Sequence, residues 1–594
     1  MIELEEKIKK RKKEDFITLI IGCTFLIIFA LQLYRAYLEV GVLNFDLILF
    51  NFEYNLKNRF FFVPTKEYKV IFLLISMFFL IKSLDILSNN KKYMRGEEYG
   101  SSRWATSKEK QKYKDRKEQK NLILAEDIRL SLNGRKIKRN ANVCVVGASG
   151  TGKSRYVVKP NLMQLNTSYV ITDPKGELFK ETGKMFLNHK YKVKVFNLKD
   201  ISETMKYNPF KYFYKIEDIF SFIKMLIENT DNGAKGNDPF WEKAETLLLQ
   251  AIMIYLYEER PKHEQTLPNV IKLLRTAKIA EDEEKGTVNP LDIIFSDLEK
   301  EKGETFAVKQ YKDFKAGSGK TLKTVLMCAL TRLAFVDIPT IENMLSDDEL
   351  EIEKLGQEKT ALFVIIPDNE SSFNFLVSIL YNQMFKVLVN IADTKTLKIP
   401  IQYVLDEIAN IGQIPNFEKV MGTIRSRKMS AMIFLQSISQ LENMYKNTWK
   451  SIVDNCNSTL FLGGDESAEW MSKKLGKRTI DSTTTNQSRG RNRSTSENNV
   501  ILGRELMTAE EITRMPDEDC ICKIRGSYPM YSRKYDITKH PLYSELGDAF
   551  DPENKNNFNF QDLIIAQKRN MKTNAEELAE NLEKMKDMLE ESGV

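Results

Sequence analysis

Cysteine and histidine are scarce in this sequence, which has six cysteines and three histidines among 594 residues. Six cysteines spread over such a length do not make a disulfide framework. Cys520 and Cys522 form a lone CxC with no second pair at metal-ligand spacing, so alternating burial on a β-strand is the favoured interpretation. The scattered histidines disfavour a zinc site and a Ser-His-Asp triad.

A large excess of charge of one sign is also lacking. The sequence has 89 basic and 82 acidic residues, which leaves a net charge of +7. This balance excludes a protein that is coated in nucleic acid, so any contact with DNA must be local. Apolar residues make up 42% of the chain, enough for a large core and, at this length, for more than one domain.

Two long apolar runs lie near the N-terminus, at residues 16–34 and 68–87. The first run has the length that a bilayer span requires. It is longer than the apolar core of a signal peptide, and no small-residue cleavage site follows it. The second is weaker, because Lys82 and Asp85 lie near its far end, where a lysine side chain can reach the interface. A buried helix of a soluble domain remains the alternative for this second run.

Basic residues flank the pair of runs and set its predicted orientation. They concentrate at 7–13 and 91–95, whereas the stretch 35–67 has fewer of them, offset by acidic residues. By the positive-inside rule both termini are cytoplasmic and 35–67 is a short exterior loop. The sequence therefore predicts a multi-pass anchor, residues 1–95, in the inner or cytoplasmic membrane.

A glycine-rich stretch, GASGTGKS, has the G-x-x-x-x-G-K-[S/T] pattern of a phosphate-binding loop. The apolar segment 142–146 predicts a strand before it, and a helix with a kink at Pro160 is expected after it. In such a loop backbone N–H groups and the lysine bind the phosphates of ATP, and the hydroxyl binds Mg²⁺. The predicted binding residues are Gly147, Ala148, Ser149, Gly150, Thr151, Gly152, Lys153 and Ser154.

A second stretch, GSGKT at Gly317–Thr321, does not meet this pattern. Phe314 stands where the first glycine is required, and the residues before it have a charged, helical pattern instead of a strand. We interpret the stretch as a turn between two helices, so only the upstream motif is predicted to bind a nucleotide.

An acidic pair, Asp406 and Glu407, follows the apolar segment Ile401–Leu405. An aspartate at such a strand end holds the water shell of magnesium, and the adjacent glutamate polarises the attacking water. A further apolar segment ends at Gln436, which is suited to sensing the γ-phosphate, although a polar strand terminus is the alternative. Alternation of strands and helices predicts a parallel, doubly wound α/β sheet with the nucleotide at its carboxyl edge.

The chain resembles the TraG/TraD family of type IV secretion coupling proteins, the conjugative DNA-transfer ATPases, from the anchor to about residue 545. Ser102 departs from the family pattern, in which alanine is more usual. Besides the two nucleotide motifs, the stretches that carry the resemblance are Gly100–Ala105, Tyr169–Leu178, Asn208–Phe210, Asp238–Glu242, Leu405–Pro415, Leu435–Leu441 and Gly503–Asp519.

The resemblance implies a RecA-like P-loop motor that forms a homo-hexamer. It implies that ATP hydrolysis drives recruitment and translocation of single-stranded DNA with its relaxase into a channel of secretion proteins. It also implies a RecA-like domain of residues 96–237 and 336–545, an inserted all-α domain of residues 238–335 and a charged tail of residues 546–594. The helical patterns between 238 and 335 agree with the insertion.

In such rings a basic residue of one subunit completes the site of its neighbour. The family pattern points to Arg425 as this residue, which is called an arginine finger. Arg427 is the second candidate, and the alternative is that both arginines belong to a solvated basic loop without a catalytic role. The predicted catalytic set is therefore Lys153, Glu407, Arg425 and Gln436.

Two segments and two alternative functions stay open. Residues 483–499 are a polar insert that we expect to be a disordered loop. Arg489, Arg491 and Arg493 could bring it into contact with nucleic acid, although a flexible solvated linker is the favoured interpretation. The tail from 551 onwards is a hypothetical docking element for transfer substrates. An FtsK-like DNA translocase is disfavoured, because the P-loop follows the anchor closely and no winged-helix DNA reader is apparent at the C-terminus. An ATP-gated receptor for protein effectors is the remaining alternative.

Overall fold

The computed structural model describes residues 2–58, 69–88, 97–230, 239–277, 289–317, 319–367, 373–488, 494–549 and 556–569. They fall into two compact units. One unit joins Met1–Ser101 to Thr479–Gly503, and the other joins Ser102–Arg478 to Arg504–Val594.

The described residues form thirteen strands. In chain order they are β1 Asn121–Ala125, β2 Ile128–Ser131, β3 Val143–Gly147, β4 Ser168–Asp173, β5 Lys192–Asn197, β6 Thr360–Ile365, β7 Ile401–Leu405, β8 Met429–Leu435, β9 Ser458–Gly463, β10 Lys477–Ser488, β11 Ser494–Glu505, β12 Asp519–Ile524 and β13 Met530–Arg533.

The α-helices of the N-terminal half are α1 Ile2–Val40, α2 Phe45–Asn58, α3 Lys69–Ser88, α4 Ser107–Lys110, α5 Gly134–Ile137, α6 Lys159–Met163, α7 Glu177–Asn188, α8 Ile216–Thr230, α9 Pro239–Glu259 and α10 Leu267–Thr276. Those of the C-terminal half are α11 Pro290–Lys302, α12 Phe306–Lys315, α13 Gly319–Leu333, α14 Pro339–Met344, α15 Asn374–Thr394, α16 Phe417–Thr423, α17 Ile438–Tyr445, α18 Trp449–Asp454, α19 Ala468–Leu475 and α20 Ala509–Thr513. Residues 560–569 are also helical.

A nine-stranded sheet with the order β13-β12-β9-β3-β8-β7-β4-β6-β5 organises the larger unit. The strands from β9 to β5 run parallel, whereas β12 and β13 extend the β9 edge as antiparallel strands. The predicted doubly wound, mainly parallel α/β fold is confirmed. Because the parallel strands all end at one edge, the loops after β3, β4, β7 and β8 lie together there.

The sequence of the parallel strands explains their central place. Strands β3, β4, β6, β7 and β8 are buried along their whole length, which is typical of a sheet covered by helices on both faces. Helix α15 is apolar and long enough to span a membrane, but two thirds of its apolar window is buried in this unit, so it is a core helix.

Only helices are found among the described residues between β5 and β6. Helices α8 to α14 carry the connection, and each has an apolar face turned inward, as Leu267, Val270 and Leu274 of α10 illustrate. This agrees with the helical patterns that the sequence shows there. The boundaries 238–335 of an inserted domain stay a prediction.

The smaller unit contains the predicted membrane anchor. Residues Glu14–Val40 of α1 are long and apolar enough to span a bilayer. The second predicted span lies in α3, where the described apolar stretch, Leu73–Leu84, is shorter than a full span. Helix α2 occupies part of the predicted exterior loop 35–67 and packs Ile48 and Phe52 against α1.

The polar insert at 483–499 differs from the expected disordered loop. Its described residues belong to β10 and β11, which pair with each other in a two-stranded sheet. Thr483, Thr484 and Thr485 favour the extended backbone because they are branched at Cβ, and this outweighs the polar composition. Arg489, Arg491 and Arg493 lie outside the described residues.

Candidate nucleotide-binding site

The glycine-rich loop connects the end of β3 to a helical segment at the carboxyl edge of the sheet. Gly150 and Gly152 have φ values of +81° and +79°, in the left-handed region that favours glycine. A Cβ on Gly152 would lie 2.4 Å from the ring of Tyr156, so the turn has no room for a side chain. The Thr151 hydroxyl donates to the Ala148 carbonyl at 2.8 Å and closes the loop.

The segment after the loop begins with a π-helical turn, Ser154–Val158, and continues as α6. Pro160 lacks an N–H group, so the carbonyl one turn before it has no regular helical partner, and a wide turn accommodates this. The helix expected after the loop is present, and a π turn precedes the α-helical segment that contains Pro160; the kink at Pro160 stays a prediction.

Lys153 is held inside the loop. Its ammonium donates to the Gly147 carbonyl at 2.7 Å and to the Ala148 carbonyl at 3.4 Å. Burial lowers the pKa of Lys153, whereas the carboxylates of Glu407 and Asp406 act in the opposite direction. No carboxylate of the described residues forms an ion pair with Lys153, so its charge is directed at the loop that is predicted to bind phosphates.

Strand β7 brings Asp406 next to the P-loop. The Ser154 hydroxyl donates to Asp406 Oδ2 at 3.2 Å, across 252 residues of sequence. Asp406 is 8% exposed, and the following residue, Glu407, is half-buried with a φ of +56°. A glutamate with positive φ is strained, and such strain is often found at functional sites.

Two glutamine side chains hold the carboxylate of Glu407. Gln436, directly after β8, donates its amide to Glu407 Oε1 at 2.7 Å, and Gln440 of α17 approaches the same oxygen at 3.4 Å. Gln440 also accepts a hydrogen bond from the Gln436 backbone at 3.0 Å. The structure thus brings together Gln436 and Glu407, which the sequence proposed separately, and adds Gln440.

Asp173 at the end of β4 is the second buried carboxyl at this edge. It accepts hydrogen bonds from the backbone N–H groups of Gly176 at 2.9 Å and Phe179 at 2.8 Å, which fixes the turn into α7. Burial raises the pKa of Asp173 to about 7, against the effect of these N–H groups, and the charge of Asp406 adds to the rise.

A cavity of about 620 Å³ joins these groups. Sequence reasoning missed an ion cluster on its wall, in which Lys159 pairs with Glu181 at 2.7 Å and with Asp548 at 2.5 Å. Lys534, which directly follows β13, also donates to the Thr151 carbonyl at 3.0 Å. Isolated residues such as these carry no motif, so no sequence signal marks them.

The predicted arginine finger does not line this cavity. Arg425 is exposed in the turn Ile424–Arg427, before the start of β8, and therefore lies at the opposite edge of the sheet from the P-loop. It has no ion-pair partner among the described residues. Arg427 differs, because its guanidinium forms a two-pronged pair with Asp393 at 2.8 and 2.9 Å.

The second glycine-lysine stretch lies where two helices meet. Gly317 follows α12, Lys320 is in the first turn of α13, and Ser318 lies outside the described residues. The predicted helix–helix turn is confirmed, and helix α12, not a strand, precedes it.

The residues of the site fit a nucleotide with magnesium. A hydroxyl and a carboxylate, Ser154 and Asp406, are adjacent, and oxygen ligands of this kind suit Mg²⁺. Within the described residues no group of three or more His, Cys, Asp or Glu side chains could hold a metal alone. Magnesium characteristically takes few protein ligands and completes its shell with phosphate oxygens and water.

Known proteins match most of this chain. A family model described as "Type IV secretory system Conjugative DNA transfer" matches residues 102–584. Protein VirD4 of Rhizobium rhizogenes is 24% identical over 404 residues, covering 66% of this chain and 57% of that protein. The Conjugal transfer protein TraG of Escherichia coli is 24% identical over 442 residues, covering 68% and 67%.

Solved structures show the same fold. The conjugative coupling protein TrwB with the ATP analogue ADPNP has a TM-score of 0.53 at 17% identity, covering 74% of this chain and 94% of that structure. TrwB with ADP and Mg²⁺ has a TM-score of 0.52 at 17% identity, covering 74% and 96%.

Proposed function

Since the chain belongs to the type IV secretory system conjugative DNA transfer family, we propose that it is a membrane-anchored coupling ATPase. It hydrolyses ATP to recruit single-stranded DNA with its relaxase and to move the strand into a secretion channel. The chain spans about 57% of the length of the VirD4 relative, so activity, substrate and partners are proposed for this chain on its own residues.

One observation carries the proposal. The P-loop lysine, the Ser154–Asp406 pair and the glutamine-held Glu407 meet at one edge of a parallel sheet, although more than 250 residues separate the P-loop from Glu407. A protein that only bound ATP would need the loop. It would not need a positioned carboxylate with a strained backbone beside it.

The roles follow from the geometry. Lys153 and the loop N–H groups bind the phosphates, and Ser154 and Asp406 would hold Mg²⁺, which offsets phosphate charge when bound. Glu407 orients the attacking water and accepts its proton, and Gln436 keeps the carboxylate aimed into the cavity. We further propose that Arg425 serves the site of a neighbouring subunit in a homo-hexamer, because it is exposed, unpaired among the described residues and remote from its own P-loop.

We propose that the N-terminal helices hold this motor at the membrane. Residues Glu14–Val40 are long and apolar enough to span a bilayer. In this proposal they form the first span and α3 returns the chain to the cytoplasm, so that the ATPase lies on the cytoplasmic face of a multi-pass protein. The channel proteins would then meet it at the membrane. The relatives include proteins named for conjugal transfer and for type IV secretion, and they do not favour the FtsK-like and protein-receptor alternatives.

A complementation experiment tests the proposal. In a donor strain that lacks this gene, the wild-type gene should restore DNA transfer, and Lys153→Ala should restore none because phosphate binding is lost. Lys320→Ala is the matched control, since this lysine lies in the other glycine-lysine stretch, and it should transfer as the wild type does. Transfer with Lys153→Ala, or loss of transfer with a stable Lys320→Ala protein, would contradict the assignment.

A further inference from the structure

A second cavity, of about 370 Å³, lies at the amino edge of the sheet, where β9 begins and β12 ends. Three basic side chains line it: Lys474 from α19, Lys523 from β12 and Arg525 just after β12. Asp454, at the end of α18, is the one acidic residue in its lining. Because β9 runs parallel to β3, the cavity is on the opposite edge from the P-loop.

The two lysines lack the partners that half-buried cations normally have. Lys523 donates to the Lys474 carbonyl, and Lys474 lies 4.6 Å from the ring centre of Trp470, but neither forms an ion pair within the described part of the chain. Burial lowers the pKa of both lysines, and the nearby Lys474 lowers that of Lys523 further. Placing two ammonium groups together in this way is unfavourable unless an anion joins them.

Other lysines of the protein show what this pattern means. Burial also lowers the pKa of Lys194, and that lysine pairs with Glu351 at 2.7 Å. Lys153, by contrast, is bonded to carbonyl oxygens without a carboxylate pair, and its proposed ligand is a phosphate. Lys523, which donates to a carbonyl oxygen and forms no ion pair among the described residues, resembles Lys153, whereas Lys474 contacts the ring of Trp470.

A basic segment continues from the cavity along the surface. The guanidinium of Arg139 donates to the Arg525 carbonyl, which fixes this segment to the cavity wall. Arg135, Lys136 and Lys138 precede it and are exposed, and Lys136 also lies 3.6 Å from the Asp115 carboxylate. A string of cations is suited to a strand of linked phosphates more than to a single small anion.

We propose that the Lys474–Lys523–Arg525 cavity, together with the segment 135–139, binds the phosphodiester backbone of single-stranded DNA. The inference rests on the proposed function, since it names where the transferred strand contacts the motor. It also agrees with the low net charge of the chain, which requires any contact with DNA to be local.

The test compares variants of the full-length protein in nanodiscs of uncharged phosphatidylcholine. The double variant Lys474→Gln, Lys523→Gln removes both charges and keeps much of the side-chain volume. Lys473→Gln is the matched control, because this exposed neighbour on α19 pairs with Glu469. Each protein is titrated with a fluorescent thymidine oligonucleotide at several salt concentrations, and nucleotide affinity and the thermal midpoint are measured in parallel.

The double variant should bind the oligonucleotide at least about tenfold more weakly. The plot of log binding constant against log salt concentration should become less steep by about 1.4, or about 0.7 for each lost phosphate contact. Its nucleotide affinity should stay within twofold, and its thermal midpoint should not fall, because neither removed charge forms an ion pair among the described residues. Lys473→Gln should behave as the wild type.

The remaining outcomes separate the two proposals. If the wild type binds the oligonucleotide and the double variant binds it equally well, this site is wrong and the proposed function stands. If inorganic phosphate protects the lysines of the wild type from acylation and the oligonucleotide does not, the cavity is a site for free phosphate. If the wild type binds no oligonucleotide, the DNA substrate and this site are both refuted.

Discussion

Replacing Gln436 by alanine tests how the catalytic glutamate is held. The Gln436 amide donates to Glu407 Oε1 at 2.7 Å, and both side chains are half-buried. A hydrogen bond to a charged group contributes about 1.5–3 kcal/mol. If about 2 kcal/mol of this positions Glu407 for the reaction, kcat should fall about 30-fold, since each 1.36 kcal/mol is worth about a factor of ten.

Gln440→Ala is the matched control, because its amide reaches the same oxygen at 3.4 Å. A contact this long is weak, so kcat should fall less than about fivefold. Glu407→Gln removes the base itself and should lower kcat by about 10²–10⁴-fold while ATP still binds.

The assay is steady-state ATP turnover by the full-length protein at saturating Mg²⁺ and ATP, together with the affinity for a fluorescent ATP analogue. The expected order of kcat is wild type, Gln440→Ala, Gln436→Ala and Glu407→Gln, with similar nucleotide affinities. An equal loss for Gln440→Ala and Gln436→Ala, or normal turnover by Glu407→Gln, would refute the roles assigned to these residues.

Three further changes have distinct expected outcomes. Arg425→Ala should abolish ATP turnover, whereas Arg427→Ala should stay active. If Arg425 acts on the site of a neighbouring subunit, a mixture of the Arg425→Ala and Lys153→Ala proteins should recover part of the turnover. A mixture that recovers none would refute the role of Arg425 as an arginine finger. Lys159→Met leaves two carboxylates unpaired and should lower the free energy of unfolding by about 3 kcal/mol, as measured by denaturant titration; an unchanged midpoint would refute this. Because burial raises the pKa of Asp173 to about 7, its folded form binds a proton that the unfolded chain releases near pH 4, so this contribution to stability is complete below pH 4 and is lost as the pH rises through 7. Asp173→Asn should reduce the change of the thermal midpoint with pH between pH 5 and 8. If the midpoint of this variant changes with pH as much as that of the wild type, the raised pKa of Asp173 is contradicted.

The parallel strands and the P-loop were predictable because their determinants are local. The apolar run at 142–146 is followed by the glycine-rich loop and the run Ile401–Leu405 by an acidic pair, and such a pattern indicates a buried strand with a functional loop after it. The same reasoning identified Phe314 as the residue that excludes the GSGKT stretch. In each case the decisive information lies within about ten residues.

The ion cluster of Lys159, Glu181 and Asp548 could not be predicted, because its members come from three distant segments and belong to no motif. The same holds for Lys534, which reaches the P-loop only because β12 and β13 extend the sheet beyond β9. The paired strands β10 and β11 were missed for another reason: composition favoured a loop, and the extended preference of consecutive threonines was given too little weight.

In the smaller unit, too, local patterns were predictable from the sequence and contacts between distant residues were not. The run at 16–34 predicted a long apolar helix, and Glu14–Val40 of α1 is long and apolar enough to span a bilayer. Helix α2 was not expected in the exterior loop, since its contacts through Ile48 and Phe52 depend on how α1 continues to Val40. The tail beyond residue 569 and its predicted docking role lie outside the described residues and stay a hypothesis.

The most direct test of the central claim is ATP turnover by the full-length protein in nanodiscs, with and without single-stranded DNA, across a range of protein concentrations. A DNA motor whose sites are completed by neighbouring subunits predicts turnover per subunit that rises with both DNA and protein concentration, and none for Lys153→Ala. Turnover that is indifferent to DNA at every protein concentration would contradict the account.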